Sequence, residues 1–162
     1  MTHETPKVGA VGSSDAARTE LAARLTARAR FLPEDDAALV LAVYRDGLLV
    51  KQAAAMIRRP ASSTAHRVRR LVARLASPEF AWCLRQLERQ AAGLAPPALA
   101  WTIERQRVAT LVMLHGHSLR ETARRLALSV HHVRKHVIAL RALFETHDAP
   151  EALETPDLRR SA

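Results

Sequence analysis

The feature that most constrains the fold of this chain is an internal repeat at an offset of 69 residues, which runs without a gap. The only glycines of the two copies, Gly47 and Gly116, coincide at this offset. Apolar positions of similar size also coincide: Val43 with Val112, Ala54 with Ala123, Ile57 with Leu126, Val68 with Val137, Leu71 with Leu140 and Leu75 with Phe144. The coincident glycine and the unbroken register favour the duplication of one unit over a chance alignment of two Ala-rich segments.

The second copy divides into three predicted helices. Gly116 ends the first of them, because glycine is the usual residue just past a helix C-terminus. Ser118 and Glu121 have the spacing of a capping box and begin a short second helix. Ser129 can cap a third helix over residues 130–144.

The first copy divides in the same way. Pro33, followed by three acidic residues, is typical of the first turn of a helix, and Gly47 ends that helix. A short helix over residues 50–58 and a longer one over residues 61–76 follow. Pro78 ends the longer helix.

The sequence therefore predicts an all-α protein with two trihelical helix-turn-helix units joined by a linking helix. The predicted divisions are a disordered lead (1–13), an N-terminal helix with the first helix-turn-helix unit (14–77), a linking helix with a Pro-rich turn (78–97), the second unit (98–145) and a flexible acidic tail (146–162). The linking helix has an apolar stripe, which either packs on the two units or forms a dimer seam.

Burial of the apolar face of each third helix leaves a basic face for solvent. In the second copy this face carries His131, His132, Arg134, Lys135 and Arg141. In the first copy it carries Ser62, Ser63, Ala65, His66, Arg69 and Arg70. A helix of this kind fits the DNA major groove, with its first turns at base edges and its basic residues at phosphates.

The charge of the chain points the same way. The formal net charge is +9, and residues 48–77 contain seven Lys and Arg but no acidic residue. Neutralising phosphates releases their counterions, so such a chain is a candidate for binding a polyanion. The expected partner is double-stranded DNA.

Residues 116–136 carry a family resemblance, in the run Gly-His-Ser-Leu-Arg-Glu-Thr-Ala-Arg-Arg-Leu-Ala-Leu-Ser-Val-His-His-Val-Arg-Lys-His. This run resembles the output domain of LuxR/FixJ-type transcription regulators and is similar to region 4 of bacterial sigma factors. The first copy, with Leu32-Pro33-Glu34 ahead of its supporting helix, is closer to the sigma-factor version. The likeness covers roughly residues 32–76 and 101–144.

The resemblance implies that His131, His132, Arg134, Lys135 and His136 face DNA. The resulting hypothesis gives base contacts to Ser62, Ser63, His66, His131, His132 and Arg134. It gives phosphate contacts to Arg67, Arg69, Arg70, Arg120, Arg124, Lys135 and His136. Because the first copy departs further from the family pattern, at Ala65 and Arg67, we expect the second unit to read sequence and the first mainly to anchor.

Three other functions compete with DNA binding. A sigma-region-4-like adaptor would dock on RNA polymerase or another protein. A zinc site would use His132 and His136, with His115, His117 or His131 near and Glu121 as the carboxylate that would complete a set. An enzyme is disfavoured because the glycines are isolated and no catalytic constellation is evident. The sequence thus predicts no catalytic residue, no metal and no cofactor.

Cys83 is the only cysteine of the chain, which excludes an intramolecular disulfide and suits a reducing compartment. The first residues lack the pattern of a secretory signal, and no apolar run approaches the length of a membrane span. We therefore expect a cytoplasmic protein without membrane contact. Either a monomer or a homodimer is compatible, since one chain would supply two recognition helices.

Overall fold

The computed structural model describes residues 12–147, and within this range every regular element is helical. The eight α-helices are α1 (Gly12–Ala29), α2 (Glu34–Tyr44), α3 (Val50–Met56), α4 (Ala61–Ala76), α5 (Pro78–Ala91), α6 (Ile103–Ala109), α7 (Leu119–Leu126) and α8 (Val130–His147). A short 3-10 turn (Pro97–Leu99) precedes α6, and a π-helical turn (Thr110–Leu114) continues it. The all-α prediction is confirmed for these residues. Most of the predicted disordered lead and acidic tail lies outside them.

The chain separates into two compact units at Ala76 and Ser77. Unit 1 contains α1 to α4, and unit 2 contains α5 to α8. None of the described helices combines the length and the apolar character that crossing a bilayer requires.

Unit 1 is built around the apolar faces of its four helices. α1 packs on α2 and α4, and α3 packs on α2 and α4. The core consists of Leu25, Ala29, Leu32, Leu39, Val40, Ala42, Ala53, Ala54, Val68, Leu71 and Leu75. The guanidinium of Arg28 on α1 donates a hydrogen bond to the carbonyl oxygen of Leu75, so α1 is tied to the end of α4.

Unit 2 includes α5, the helix that the sequence predicted as a link. Phe80, Trp82 and Cys83 of α5 are buried in the core of this unit. The ring of Trp82 lies 5.7 Å from that of Trp101 and 5.6 Å from that of Phe144, in tilted and edge-on arrangements that aromatic pairs favour. The helix therefore forms part of a folded unit.

The offset of 69 residues recurs in the helix boundaries. α2, α3 and α4 begin at Glu34, Val50 and Ala61, and α6, α7 and α8 begin 69 residues later in each case, at Ile103, Leu119 and Val130. Buried positions repeat as well: Leu39 with Val108, Val40 with Ala109, Ala53 with Thr122, Thr64 with Val133 and Leu71 with Leu140.

The irregular backbone between the helices repeats at the same offset. Gly47 and Gly116 have φ of +70° and +71°, a region that glycine enters at no steric cost. Arg58 and Ala127 have φ of +51° and +54°. The loop hydrogen bonds also correspond, from Leu48 N to Ala42 O and from His117 N to Leu111 O, and from Arg59 N to Ala54 O and from Leu128 N to Ala123 O. The two copies thus share one backbone course.

Three predicted helix ends differ from the structure. The helix predicted to reach Arg58 ends at Met56, because Arg58 adopts a left-handed conformation that closes the helix. The last helix continues past Phe144 to His147, since the next helix-breaking residue is Pro150. The N-terminal helix begins at Gly12, ahead of its predicted start at residue 14.

Candidate nucleic-acid interface

One face of α8 is solvent-exposed and carries three of the residues predicted to contact DNA in unit 2. His131, Arg134, Lys135 and Arg141 are exposed, and the spacing of three or four residues places them along one stripe of the helix. Their prediction as solvent-facing residues is confirmed. This stripe, with the apolar Ile138 inside it, is called the α8 stripe below.

The opposite face of α8 anchors the helix. Val133 and Leu140 are fully buried, and Val137 retains only 7% of its exposure. Ser129 begins the helix as predicted, because its Oγ accepts a hydrogen bond of 3.1 Å from the backbone N–H of His132. The α8 stripe is therefore held on a rigid element.

α7 precedes α8 and is fixed at both ends. The Oγ of Ser118 accepts a hydrogen bond of 3.2 Å from the backbone N–H of Glu121, and the left-handed residue Ala127 closes the helix. α7 packs against α8. Ala123 of α7 is buried, whereas Leu126 and Leu128 are only half-buried.

The arginines of α7 differ in how they are engaged. Arg120 is exposed, whereas Arg124 and Arg125 both pair with the carboxylate of Glu121. The hydrogen bond from Arg125 is the main cause that lowers the pKa of Glu121. A phosphate would have to compete with this carboxylate for Arg124.

His132 and His136 point toward α6. The Nε2 atoms of His132 and His136 lie 3.0 Å and 2.6 Å from Oε1 of Glu104 in the first turn of α6. His136 keeps only 13% of its side-chain exposure, so its ring is turned away from solvent. The hydrogen bond with His136 is the first cause that lowers the pKa of the Glu104 carboxyl.

Sequence reasoning missed Glu104 as the partner of these histidines and considered Glu121 in its place. Glu121 is occupied by the arginines of α7. The available signal was the position of Glu104 in the first turn of the supporting helix. The corresponding turn of unit 1 also supplies a carboxylate, Asp36, to the third helix.

The third helix of unit 1, α4, also exposes the predicted residues. Ser62, Ser63, His66, Arg69 and Arg70 are exposed, and Ala65 is half-buried. Val68, Leu71 and Leu75 are buried on the other side. α4 thus has one apolar and one polar, basic face.

Two cations of α4 are partly withdrawn from solvent. Nε of Arg67 donates a hydrogen bond of 2.7 Å to Oδ1 of Asp36 on α2. Burial lowers the pKa of Arg74, and the charge of Asp36 partly opposes this shift. Arg58, Arg59 and Lys51 remain exposed on α3 and the loop after it. These three add positive charge to unit 1 outside α4.

No protein-family model matches the chain, and neither a curated protein nor a solved structure is significantly similar to it.

Proposed function

We propose that the chain binds duplex DNA through two tandem helix-turn-helix units and acts in transcriptional regulation. The observation that carries this proposal is the two-sided character of the third helix in each unit. In α8, Val133 and Val137 are buried while His131, Arg134 and Lys135 are exposed. A basic helix fixed in this way, after a short capped helix and a tight turn, has the form that enters a major groove.

The proposed contacts follow from exposure. Arg134 and His131 lie in the first turns of α8, where side chains of a recognition helix reach base edges. Lys135 and Arg120 are exposed cations suited to phosphates. In unit 1 the corresponding set is Ser62, Ser63 and His66 for bases and Arg69 and Arg70 for phosphates.

Arg67, Arg124, His132 and His136 receive a smaller share in this proposal. Each of them pairs with a carboxylate of its own unit: Asp36, Glu121, and Glu104 for both histidines. A contact with DNA would exchange one charge-assisted hydrogen bond for another, so its net contribution to affinity would be small.

Two units in one chain raise affinity without additional contacts at either site. Once one unit binds, the other acts at a high effective concentration, provided that the intervening segment lets both engage. Unit 1 keeps the basic surface but has Ala65 where unit 2 has Arg134, so we assign base reading mainly to unit 2 and anchoring to unit 1.

The test is fluorescence anisotropy of a labelled 30-base-pair duplex of mixed sequence, titrated at several salt concentrations. The logarithm of the association constant should fall with the logarithm of salt by about 0.9 per phosphate neutralised. The double substitution Arg134→Ala with Lys135→Ala should weaken binding and reduce that slope by roughly one to two.

The matched control removes two exposed arginines from other helices, Arg89→Ala on α5 with Arg107→Ala on α6. Its net charge equals that of the α8 variant, so non-specific attraction changes equally in both. Equal loss of binding in the two variants would contradict the assignment to the α8 stripe, and selection from a random library would then report no preferred site.

Ile138 favours a second candidate, an adaptor that docks on RNA polymerase or another protein. It lies within the α8 stripe with 61% of its surface exposed, and its counterpart in unit 1 is Arg69. The substitution Ile138→Arg distinguishes the two functions. It should leave DNA binding intact or strengthen it through one more phosphate contact, whereas it should abolish docking of an apolar protein surface on α8.

A further inference from the structure

Three potential ligand atoms converge between α6 and α8. Oε1 of Glu104 lies 3.0 Å from Nε2 of His132 and 2.6 Å from Nε2 of His136, and ligand atoms of all three residues lie within 4.8 Å of one another. The two imidazole rings stack with their centroids 5.2 Å apart. Residues four positions apart share one helix face, which explains why both rings reach the same carboxylate.

The equivalent position in unit 1 shows which side chains connect the supporting helix to the third helix there. There, Arg67 on the third helix donates a hydrogen bond to the carboxylate of Asp36 on the supporting helix, and the charge of Asp36 also acts on Arg74. His136 is the counterpart of Arg67 at the offset of 69 residues, and Ser63 is the counterpart of His132. Ser63 donates its hydroxyl to the carbonyl oxygen of Pro60 in its own helix turn. The counterpart of His132 thus bonds within its own helix turn, so the imidazole of His132 is additional to the pair of His136 with Glu104 that corresponds to Arg67 with Asp36.

We propose that Glu104, His132 and His136 bind a divalent transition-metal ion of the zinc class, which links α6 to α8 within unit 2. Two imidazole nitrogens and a carboxylate oxygen are donors that Zn²⁺ accepts and that Mg²⁺ or Ca²⁺, which prefer oxygen alone, do not select. Zinc holds such atoms at about 2.0–2.2 Å, which puts them roughly 3.3 Å apart in a tetrahedron. The distances of 3.0 Å and 2.6 Å from Glu104 to His132 and His136 would have to increase by about 0.3 Å and about 0.7 Å to reach this value.

The site has one protected and one open side. His136 is largely enclosed, while His132 and Glu104 retain 54% and 40% of their side-chain exposure. Three protein ligands leave a fourth position, which water can fill from the open side. The ion would stabilise unit 2 and add positive charge near the first turns of α8. This inference concerns the protein alone and does not depend on DNA binding.

The test is isothermal titration of zinc chloride into tag-free protein at pH 7.5, since a polyhistidine tag would bind the ion itself. One equivalent should bind, and the melting temperature should rise because the ion binds the folded state. His132→Ala and Glu104→Gln should each weaken binding by at least about tenfold, as loss of groups around a metal does. His131→Ala, which removes the adjacent exposed imidazole, should bind like the wild type.

Cobalt gives an independent readout, because Co²⁺ in a tetrahedral site of nitrogen and oxygen ligands absorbs visible light more strongly than six-coordinate Co²⁺. The spectrum should appear with the wild type and with His131→Ala, and be lost with His132→Ala. Far-UV circular dichroism of each variant confirms that it remains helical. Mg²⁺ at the same concentration should leave the melting temperature unchanged.

Two results would overturn the proposal. The first is the absence of zinc binding and of a melting shift in wild-type protein that is fully helical. The second is binding that survives His132→Ala but is lost in the double variant His115→Ala with His117→Ala, whose rings lie 5.8 Å apart in the wild type and offer an alternative location. Either result leaves the DNA-binding proposal to its own test.

Discussion

At the scale of single residues, Cys83 is a reactive group that is enclosed in the core of unit 2. Its side chain has no exposed surface, and its Sγ lies 4.0 Å from the carbonyl oxygen of Ala109. Burial raises the pKa of the thiol to about 12. Because the thiolate is the nucleophile, both the lack of access and the raised pKa suppress reaction with electrophiles.

We expect Cys83 to resist a maleimide or a disulfide reagent at pH 8 in the native protein and to react fully in denaturant. Counting modified thiols by mass spectrometry checks this. The variant Ser62→Cys provides the control, because Ser62 is exposed on α4 and its replacement should label within the mixing time. Rapid labelling of Cys83 in the folded wild type would mean that the core around α5 opens readily.

The residues that begin the helices were the most predictable part of the site. Ser118 and Ser129 accept the capping hydrogen bonds expected of them, because the backbone N–H groups in the first turn of a helix have no partner within the helix. The capping box at Ser118 was only half right, since Glu121 turns to Arg124 and Arg125. The cluster at Glu104 was missed, because its residues are close only after α6 and α8 pack and the position of Glu104 in the first turn of α6 does not by itself identify its partners.

At the scale of elements, the turn after α7 contains a residue that is strained by its backbone. Ala127 has φ of +54°. In this left-handed region the Cβ atom of alanine lies too close to the backbone carbonyl oxygen, whereas glycine has no Cβ atom and avoids this contact. The sequence predicted a helix start nearby, with Ser129 as its cap. It could not place the left-handed residue, because alanine there does not signal such a conformation.

Ala127→Gly should therefore stabilise unit 2 by up to about 1 kcal/mol, after the larger entropy of unfolded glycine is offset. Urea unfolding followed by circular dichroism measures the change. Ala142→Gly, at an exposed helical position of α8, should have the opposite sign and destabilise by about 1 kcal/mol. If both substitutions lower the free energy of unfolding by the same amount, the left-handed conformation of Ala127 is not strained.

The contact between α6 and α8 predicts a dependence on pH. The pKa of Glu104 lies below its usual value of 4.5 because His136 hydrogen-bonds to the carboxylate. The ionised carboxylate of Glu104 therefore stabilises the fold above about pH 4.5. This contribution is lost as the pH falls through the lowered pKa of the folded state.

Thermal unfolding between pH 7 and pH 3 in the presence of a chelator checks this. Wild-type protein should be more stable than Glu104→Gln near neutral pH, and the difference should shrink in acid. Glu88→Gln, which removes an exposed carboxylate of α5, should follow the wild type throughout. A difference between wild type and Glu104→Gln that stays constant with pH would contradict an ionic contribution.

The bounds of α4 were predicted from the sequence more accurately than the hydrogen bonding within the helices. α4 has the predicted bounds of Ala61 and Ala76, because an apolar period of three to four residues runs between Pro60 and Pro78. The π-helical turn at Thr110–Leu114 was not foreseen. Its hydrogen bond from His115 N to Thr110 O skips one residue more than an α-helix, and side-chain pattern alone does not report that shift.

At the scale of the whole molecule, the division of the chain falls before α5. The apolar stripe of α5 was visible in the sequence, but its partner was not, since any apolar surface satisfies such a stripe. In the structure, Phe80, Trp82 and Cys83 belong to the core of unit 2. The smallest fragment that preserves this core therefore begins at Ser77.

We expect a fragment of residues 77–162 to fold cooperatively and a fragment of residues 95–162 to lose most of its stability. The shorter fragment lacks α5, so Trp101 and Phe144 lose the ring of Trp82 that packs against them. Melting curves and the near-ultraviolet tryptophan signal measure the difference. Equal melting of the two fragments would show that α5 is dispensable for unit 2.

Because the two units share one register, equivalent positions can be compared within a single chain. Arg58 and Ala127 occupy the same left-handed turn, and Thr64 and Val133 the same buried position, in different chemical surroundings. The same substitution, made separately at each member of such a pair, tests one backbone conformation in two environments. Where the two effects agree, the main chain dictates them, and where they diverge, the difference measures what neighbouring side chains contribute.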